Sequence, residues 1–170
     1  MGWAGMLGWA GIRGAHPEMP SAAIAIAADH AGFELKALLV RELEDIGHEV
    51  LDLGTRSEAS VDYPDFARAL AQAIGEGKAG RGILICGTGI GMSIAANRYP
   101  HIRCALCHDG LSARLARAHN DANVLALGAR LLGVETVREA VRTFLETPFE
   151  GGRHGARVAK LTVFQTVPGS

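Results

Sequence analysis

The chain has 170 residues, of which 48% are hydrophobic and 21% charged, and these values predict one soluble globular domain with a sizeable core. The net charge of -1 and the isoelectric point near 6.6 give no electrostatic basis for binding nucleic acid or an anionic membrane. Three cysteines without a disulfide framework predict a reducing, cytoplasmic location.

Residues 1–22 differ from the rest of the chain. Gly2-Trp3-Ala4-Gly5 recurs as Gly8-Trp9-Ala10-Gly11, and the segment has no helical or strand periodicity. Its apolar part is too short to span a bilayer, and it lacks the basic start and cleavage site of a signal peptide. We expect a disordered or loosely packed extension, or a mis-assigned start with Met19 as the first residue, before a single domain at 23–168.

Strands and helices alternate along the remainder. In chain order, the predicted elements are a strand at Ala23–Ala28, a helix at Phe33–Ile46, a strand at Glu49–Leu53, a helix at Pro64–Glu76, a strand at Ile83–Ile85, a helix from Ile90, a strand at Arg103–Cys107, a helix at Gly110–Ala118, a strand at Asn123–Leu127, a helix at Val134–Phe144 and a last helix from Gly151 to Gln165. This alternation predicts an α/β fold with a parallel sheet covered on both faces.

Ligands of such folds bind beyond the carboxyl ends of the strands. The polar residues expected at that edge are Asp29, His30, Cys86, Thr88, His108, Asp109, His119 and Asn120. Because the first and third strands are expected to be neighbours, Asp29 and His30 would face Cys86. A thiolate base, a histidine and an orienting carboxylate suit proton-transfer chemistry, although an aspartate after a strand is also a common helix cap.

The loop Cys86-Gly87-Thr88-Gly89-Ile90-Gly91 joins a buried strand to a helix. Its glycines allow a sharp turn and a close approach to a ligand, and the helix N–H groups would face an anion or oxyanion and favour a thiolate at Cys86. The spacing is not the G-x-G-x-x-G of a dinucleotide site, and no Gly-Lys-Ser/Thr follows it. The loop is therefore either a ligand loop or a tight turn, and a dinucleotide-dependent dehydrogenase is disfavoured.

Three further patterns each have a functional and a structural explanation. Cys104-Ala105-Leu106-Cys107-His108 matches the C-x-x-C-H of haem attachment, but on a strand its two cysteines point to opposite faces, so we interpret the match as accidental and both cysteines as core residues. The polar run His119–Asn123 is either a solvated turn or a polar site. Three arginines are candidates for a phosphate clamp or are solvated side chains: Arg130, Arg153 and Arg157.

Six motifs in this order resemble the family of type B ribose-5-phosphate isomerases, which includes galactose-6-phosphate and allose-6-phosphate isomerases. They are Asp29-His30-Ala31-Gly32, Asp62-Tyr63-Pro64, Cys86-Gly87-Thr88-Gly89-Ile90-Gly91, Ala95-Ala96-Asn97, His119-Asn120-Asp121-Ala122-Asn123-Val124-Leu125 and Gly151-Gly152-Arg153-His154. The resemblance extends from about Ile24 to the last helix.

The resemblance implies a three-layer, Rossmann-like α/β/α sandwich with a five-stranded parallel sheet. It also implies a homodimer or a dimer of dimers with sites built from both subunits, the C-terminal helix packing on the partner. The implied reaction interconverts ribose 5-phosphate and ribulose 5-phosphate, in the pentose phosphate pathway, through a cis-enediolate and without metal or cofactor. The alternative substrates within the family are allose 6-phosphate, galactose 6-phosphate or a tetrulose phosphate. A non-catalytic sugar-phosphate sensor is a further alternative, which is disfavoured because a sensor would not need a base.

The resemblance also assigns roles at matching positions. Cys86 is the base between C2 and C1, because this chain has cysteine there and Met92 where some relatives carry a glutamate base. By the same resemblance, Thr88 lies beside the base, and the amides of Gly87, Gly89 and Gly91 stabilise the enediolate oxygen. Asp29 and His119 bind and open the furanose ring, and Tyr63 and Asn120 contact the substrate. The residues assigned to the phosphate are His30, Arg130, Arg153 and Arg157.

Overall fold

The computed structural model describes residues 23–161, which form a five-stranded parallel sheet between two layers of helices. In chain order the elements are β1 Ile24–Ala28, a 3₁₀ turn His30–Gly32, α1 Phe33–Asp45, β2 Val50–Asp52, α2 Tyr63–Gly75, β3 Arg81–Cys86, α3 Ile90–Ala96, β4 Cys104–Leu106, α4 Gly110–Asn120, β5 Val124–Gly128, α5 Val134–Glu146 and α6 Gly152–Leu161. The predicted three-layer α/β/α sandwich is confirmed for these residues.

The strand order is β2-β1-β3-β5-β4, and every neighbouring pair is parallel. The central strands β1, β3 and β5 are almost entirely buried, as expected of a sheet covered on both faces. Successive strand residues point to opposite faces, so Ile85 packs with α1, α4 and α5 while Cys86 packs with α2 and α3. The sheet therefore delivers the Cys86 side chain to the α2–α3 side of its carboxyl edge.

Cys104 and Cys107 also lie on opposite faces of the sheet, as predicted. Cys107 is buried in the core beneath α4 and α5, and Cys104 packs against the core beneath α2 and α3. Burial raises the pKa of Cys104 to about 12 and that of Cys107 to about 11. Both side chains are core residues that do not converge on one ligand.

The clearest shift from the predicted elements is at the end of α4. The helix was expected to end at Ala118 but continues to Asn120, because Asp121 adopts a left-handed conformation (φ 45°) and closes it. The Asp121 carboxylate accepts hydrogen bonds from Arg103 and Arg117, which fixes this ending. His119 and Asn120 therefore lie in the last turn of a helix and not in a loop before β5.

Two predicted regions extend beyond the described residues. The extension at residues 1–22 lies outside them entirely, and so does the part of the last predicted helix after Leu161. Within residues 23–161, no helix has the length and apolar character needed to cross a membrane.

Candidate functional site

The loop after β3 holds the Cys86 thiol at the start of α3. Cys86 ends the strand with its side chain 5% exposed, and Gly89 donates its N–H to the Cys86 Sγ over 3.1 Å. The N–H of Ile90, the first residue of α3, points at the Thr88 Oγ1 over 3.3 Å. The Gly89 amide is thus a backbone donor placed to stabilise negative charge on the Cys86 sulfur.

The loop glycines allow other parts of the chain to close on it. Gly89 has φ 79°, and a Cβ there would lie 2.9 Å from the Leu127 carbonyl carbon. A Cβ on Gly91 would lie 2.7 Å from the Tyr63 Cζ, so the tyrosine ring rests on the loop. The Arg130 guanidinium lies within 3.5 Å of the corresponding position on Gly87. The phenol ring of Tyr63 and the guanidinium of Arg130 thus pack on the loop that follows Cys86.

Asp29 and His30 reach the same edge from the neighbouring strand β1. The Asp29 N–H donates to the Ile85 carbonyl over 3.1 Å, and the Asp29 carboxylate accepts the N–H groups of Ala31 and Gly32. Asp29 therefore caps the 3₁₀ turn, which is the alternative to an orienting carboxylate that its position after a strand had allowed. Val61 donates its N–H to the His30 Nδ1 over 3.3 Å. This contact leaves the His30 Nε2 to carry the proton and to donate to a ligand oxygen.

The predicted site residues fall into two groups on one chain. The carboxyl-edge group comprises the loop glycines with Asp29, His30, Tyr63, Cys86, Thr88 and Arg130. The helix-end group comprises His119, Asn120, His154 and Arg157, which line a cavity of about 310 Å³ with Val158 and Leu161. Arg153, one helical turn before Arg157, is exposed at the start of α6.

The expectation that His119 and Asn120 join Cys86 beyond the carboxyl ends is wrong within one chain. Helix α4 begins at the carboxyl edge after β4 and runs back antiparallel to the strands, because it connects two parallel strands. Its last turn therefore lies at the amino edge, where Asn120 borders a second cavity with Arg103 and Cys104 at the start of β4. The two groups sit at opposite ends of the sheet.

His154 and Glu150 are two members of the helix-end surroundings that sequence reasoning did not assign. The His154 ring stacks on the His119 ring, with centroids 4.3 Å apart and planes within 3°. The Glu150 Oε2 lies 3.7 Å from the His119 Nε2 and 3.8 Å from the His154 Nε2. Burial and the neighbouring His119 lower the pKa of His154. The motif Gly151-Gly152-Arg153-His154 was the one sequence signal for this contact, but nothing in the spacing of its histidine indicates that the ring packs on His119.

The same three residues are the one group within residues 23–161 whose ligand atoms are close enough to suggest a metal site, all within 4.8 Å. A histidine nitrogen binds a metal in the plane of its ring, and two parallel stacked rings share no such position. The charges of Arg153 and Arg157 also act on this cluster and oppose a cation. The arrangement suits sharing a proton rather than holding a metal.

Comparisons with known proteins agree on one family. The Ribose/Galactose Isomerase family model matches residues 24–161. The chain is 46% identical to ribose-5-phosphate isomerase B of Escherichia coli, over 84% of this chain and 95% of the relative. It is 45% identical to D-erythrulose-4-phosphate isomerase of Pectobacterium atrosepticum, over 84% and 94%. The crystal structure of a ribose 5-phosphate isomerase from Thermotoga maritima superposes with a TM-score of 0.81, at 56% identity over 83% of this chain and 97% of that one.

Proposed function

Because the chain belongs to the Ribose/Galactose Isomerase family, we propose that it interconverts ribose 5-phosphate and ribulose 5-phosphate with Cys86 as the base. The observation that carries this proposal is the Gly89 N–H directed at the Cys86 Sγ, in the glycine-rich loop that opens α3. A base and an oxyanion-stabilising loop are the two requirements of an enediolate reaction.

The reaction moves one proton between two carbons. The Cys86 thiolate takes the proton from C2 of the open-chain aldose, and a cis-enediolate forms with its negative charge on O1, which later gains the proton that O2 loses. Amides of the Gly87–Gly91 loop stabilise its oxygen, with Thr88 beside the base. Return of the proton to C1 and loss of the O2 proton give the ketose, so no external oxidant or reductant is needed.

Recognition of the sugar phosphate is assigned to the surrounding polar residues. The His30 Nε2–H and the guanidinium of Arg130 are donors at the carboxyl edge, where Tyr63 borders the loop. Guanidinium groups bind phosphate oxygens through paired hydrogen bonds, which suits Arg130, Arg153 and Arg157. Asp29 and His119 are assigned to binding and opening the furanose ring, and Asn120 to the sugar. No metal or cofactor has a part in this scheme.

A complete site on this scheme needs two chains. The carboxyl-edge group holds Cys86 and the helix-end group holds His119, and the parallel sheet separates them within one chain. A homodimer, or a dimer of dimers, in which α6 packs on its partner would bring the helix-end group of one chain to the carboxyl edge of the other. The exposed positions of Arg153 and Arg157 on α6 support this arrangement, because they are free to reach across an interface.

A second candidate substrate is a shorter sugar phosphate. The relative named D-erythrulose-4-phosphate isomerase is 45% identical to this chain, against 46% for the relative named ribose-5-phosphate isomerase B, so identity does not separate the two substrates. Allose 6-phosphate and galactose 6-phosphate are longer alternatives within the same family. In each case the enediolate chemistry at Cys86 is the same, and only the distance from the thiol to the phosphate grip changes.

The proposal is tested by following solvent deuterium into ribose 5-phosphate at C2 by NMR. Wild type should incorporate deuterium and form ketose, whereas Cys86→Ala should do neither. Cys104→Ala, which removes a core thiol from the same side of the sheet, serves as the control and should retain both activities. Exchange that persists in Cys86→Ala would remove the thiol as base. Exchange with a tetrose or hexose phosphate only would move the assignment to that substrate.

A further inference from the structure

A tight turn between α5 and α6 places the His154 imidazole against His119. Gly151 and Gly152 both have positive φ, at 66° and 52°, and they turn the chain sharply into α6. The Glu150 N–H donates to the Ala118 carbonyl over 3.0 Å, which ties this turn to the last turn of α4. His154 in the first turn of α6 then lies flat on His119 and is itself buried.

The groups around this stack disfavour a proton on His154. His119 faces it from α4, Glu150 from the preceding loop, and Arg153 and Arg157 from α6. Two imidazolium rings 4.3 Å apart would repel each other, and burial already disfavours a charge on His154. The Glu150 carboxylate is the anion that faces both Nε2 atoms. Burial and the neighbouring His119 thus lower the pKa of His154, whose uncharged ring can lie flat on His119.

We propose that His154 and Glu150 are positioning residues for His119, which they hold flat and beside a carboxylate so that it can open the furanose ring of the substrate. This inference rests on the proposed function. In ring opening the C1–O4 bond breaks, O4 gains a proton and the anomeric O1 loses one, so the net change is the transfer of one proton. His119 moves that proton, while His154 and Glu150 act through their contacts with His119.

Ring opening is separable from enolisation by the choice of substrate. Ribulose 5-phosphate is an open chain, because its O5 carries the phosphate and O4 is too near C2 to close a five-membered ring. Exchange of its C1 proton with deuterium therefore needs Cys86 but no ring opening. Net turnover of ribose 5-phosphate, which is a furanose in solution, needs both steps. The ratio of these two rates reports on the helix-end group alone.

The decisive variants are His154→Ala, His154→Phe and Glu150→Gln, each in the full chain. His154→Ala should lower kcat for ribose 5-phosphate at least about tenfold while deuterium exchange into ribulose 5-phosphate stays within about twofold. His154→Phe keeps a flat ring on His119 and should recover most of the loss. Glu150→Gln, at an exposed side chain, should slow ribose 5-phosphate turnover and shift the acid limb of its pH profile.

Ala156→Gly is the matched control, since it loosens the same helix at an exposed position that lines neither cavity, and its ratio of the two rates should equal that of wild type. Equal losses of both rates in His154→Ala and Glu150→Gln, or no loss in either variant, would overturn the proposal. Failure of wild type to exchange deuterium into ribulose 5-phosphate would instead overturn the proposed function. The two failures are thus distinguishable.

Discussion

The Gly89 N–H meets the Cys86 Sγ at 3.1 Å, three residues after the sulfur leaves the sheet. The contact depends on the left-handed backbone of Gly89, which turns the chain from β3 into α3 and directs the amide back at the thiol. A backbone donor aimed at a thiolate needs no reorganisation during the reaction. The glycine pattern of the loop is therefore part of the proposed catalytic apparatus and not only a tight turn.

Gly89→Ala should damage both folding and turnover. An added Cβ would lie 2.9 Å from the Leu127 backbone carbon at a φ of 79°, so the turn must move and the N–H must leave the sulfur. We expect a loss of about 1–3 kcal/mol in the free energy of unfolding, and a fall in kcat at temperatures where the variant is folded. Gly155→Ala is the control, because a Cβ there has no neighbour within 4 Å. A Gly89→Ala enzyme with wild-type kcat would contradict the role of this amide.

Thiol labelling should be confined to one cysteine. Burial raises the pKa of Cys104 to about 12 and of Cys107 to about 11, so both remain protonated and unreactive at about pH 8. Iodoacetamide should therefore add one label per chain, on Cys86, and abolish isomerisation. Intact mass and peptide mapping measure this, and Cys86→Ala should take up no label. A label on Cys104 or Cys107 in folded protein at that pH would contradict the prediction.

Arg157→Gln should weaken recognition of the phosphate. Loss of one charge-assisted contact is expected to raise KM for ribose 5-phosphate by roughly 10- to 100-fold, or about 1.5–3 kcal/mol, with a smaller change in kcat. Lys160→Gln removes an exposed cation from the same helix, away from the cavity, and should leave KM unchanged. Equal effects of the two substitutions would mean that the helix acts only through its net charge.

Acid should destabilise the fold through His154. Burial and the neighbouring His119 lower its pKa below the value of 6.5 that applies to an unfolded chain. The unfolded chain then binds a proton that the folded chain does not, so this contribution is complete above pH 6.5 and is lost as the pH falls below it. Between about pH 7.5 and about pH 5.5, His154→Phe should lose less thermal stability than wild type. Parallel losses in the two proteins would contradict this account.

The sequence was sufficient for the fold because local signals agreed with one another. The buried runs that became β1, β3 and β5, the stop at Gly47 and the opening of α2 at Pro64 all predicted elements that the structure contains. The loop after Cys86 was also identifiable, since strand, glycines and helix follow directly. The boundaries of helices and strands moved by one or two residues; β3, for example, begins at Arg81 and not at Ile83.

The arrangement of the site was harder to predict for a physical reason. A segment between α4 and β5 lies at the amino edge of a parallel sheet wherever the helix ends, so the grouping of His119 with Cys86 followed its residue type and not its place in the chain order. The contact between His154 and His119 joins two helices separated along the chain, and depends on the turn at Gly151 and Gly152. No local pattern encodes such a contact.

The proposed site combines Cys86 of one chain with His119 of another, and mixing two inactive variants tests this arrangement directly. Cys86→Ala and His119→Ala should each be inactive alone. After co-expression or subunit exchange at equal amounts, about half of the dimers carry one of each chain, and each such dimer has one intact site, so about a quarter of wild-type kcat per site should return. Recovered activity at that level is the result the account predicts. Mixed dimers that form but stay inactive would show that both residues must come from the same chain and would contradict it.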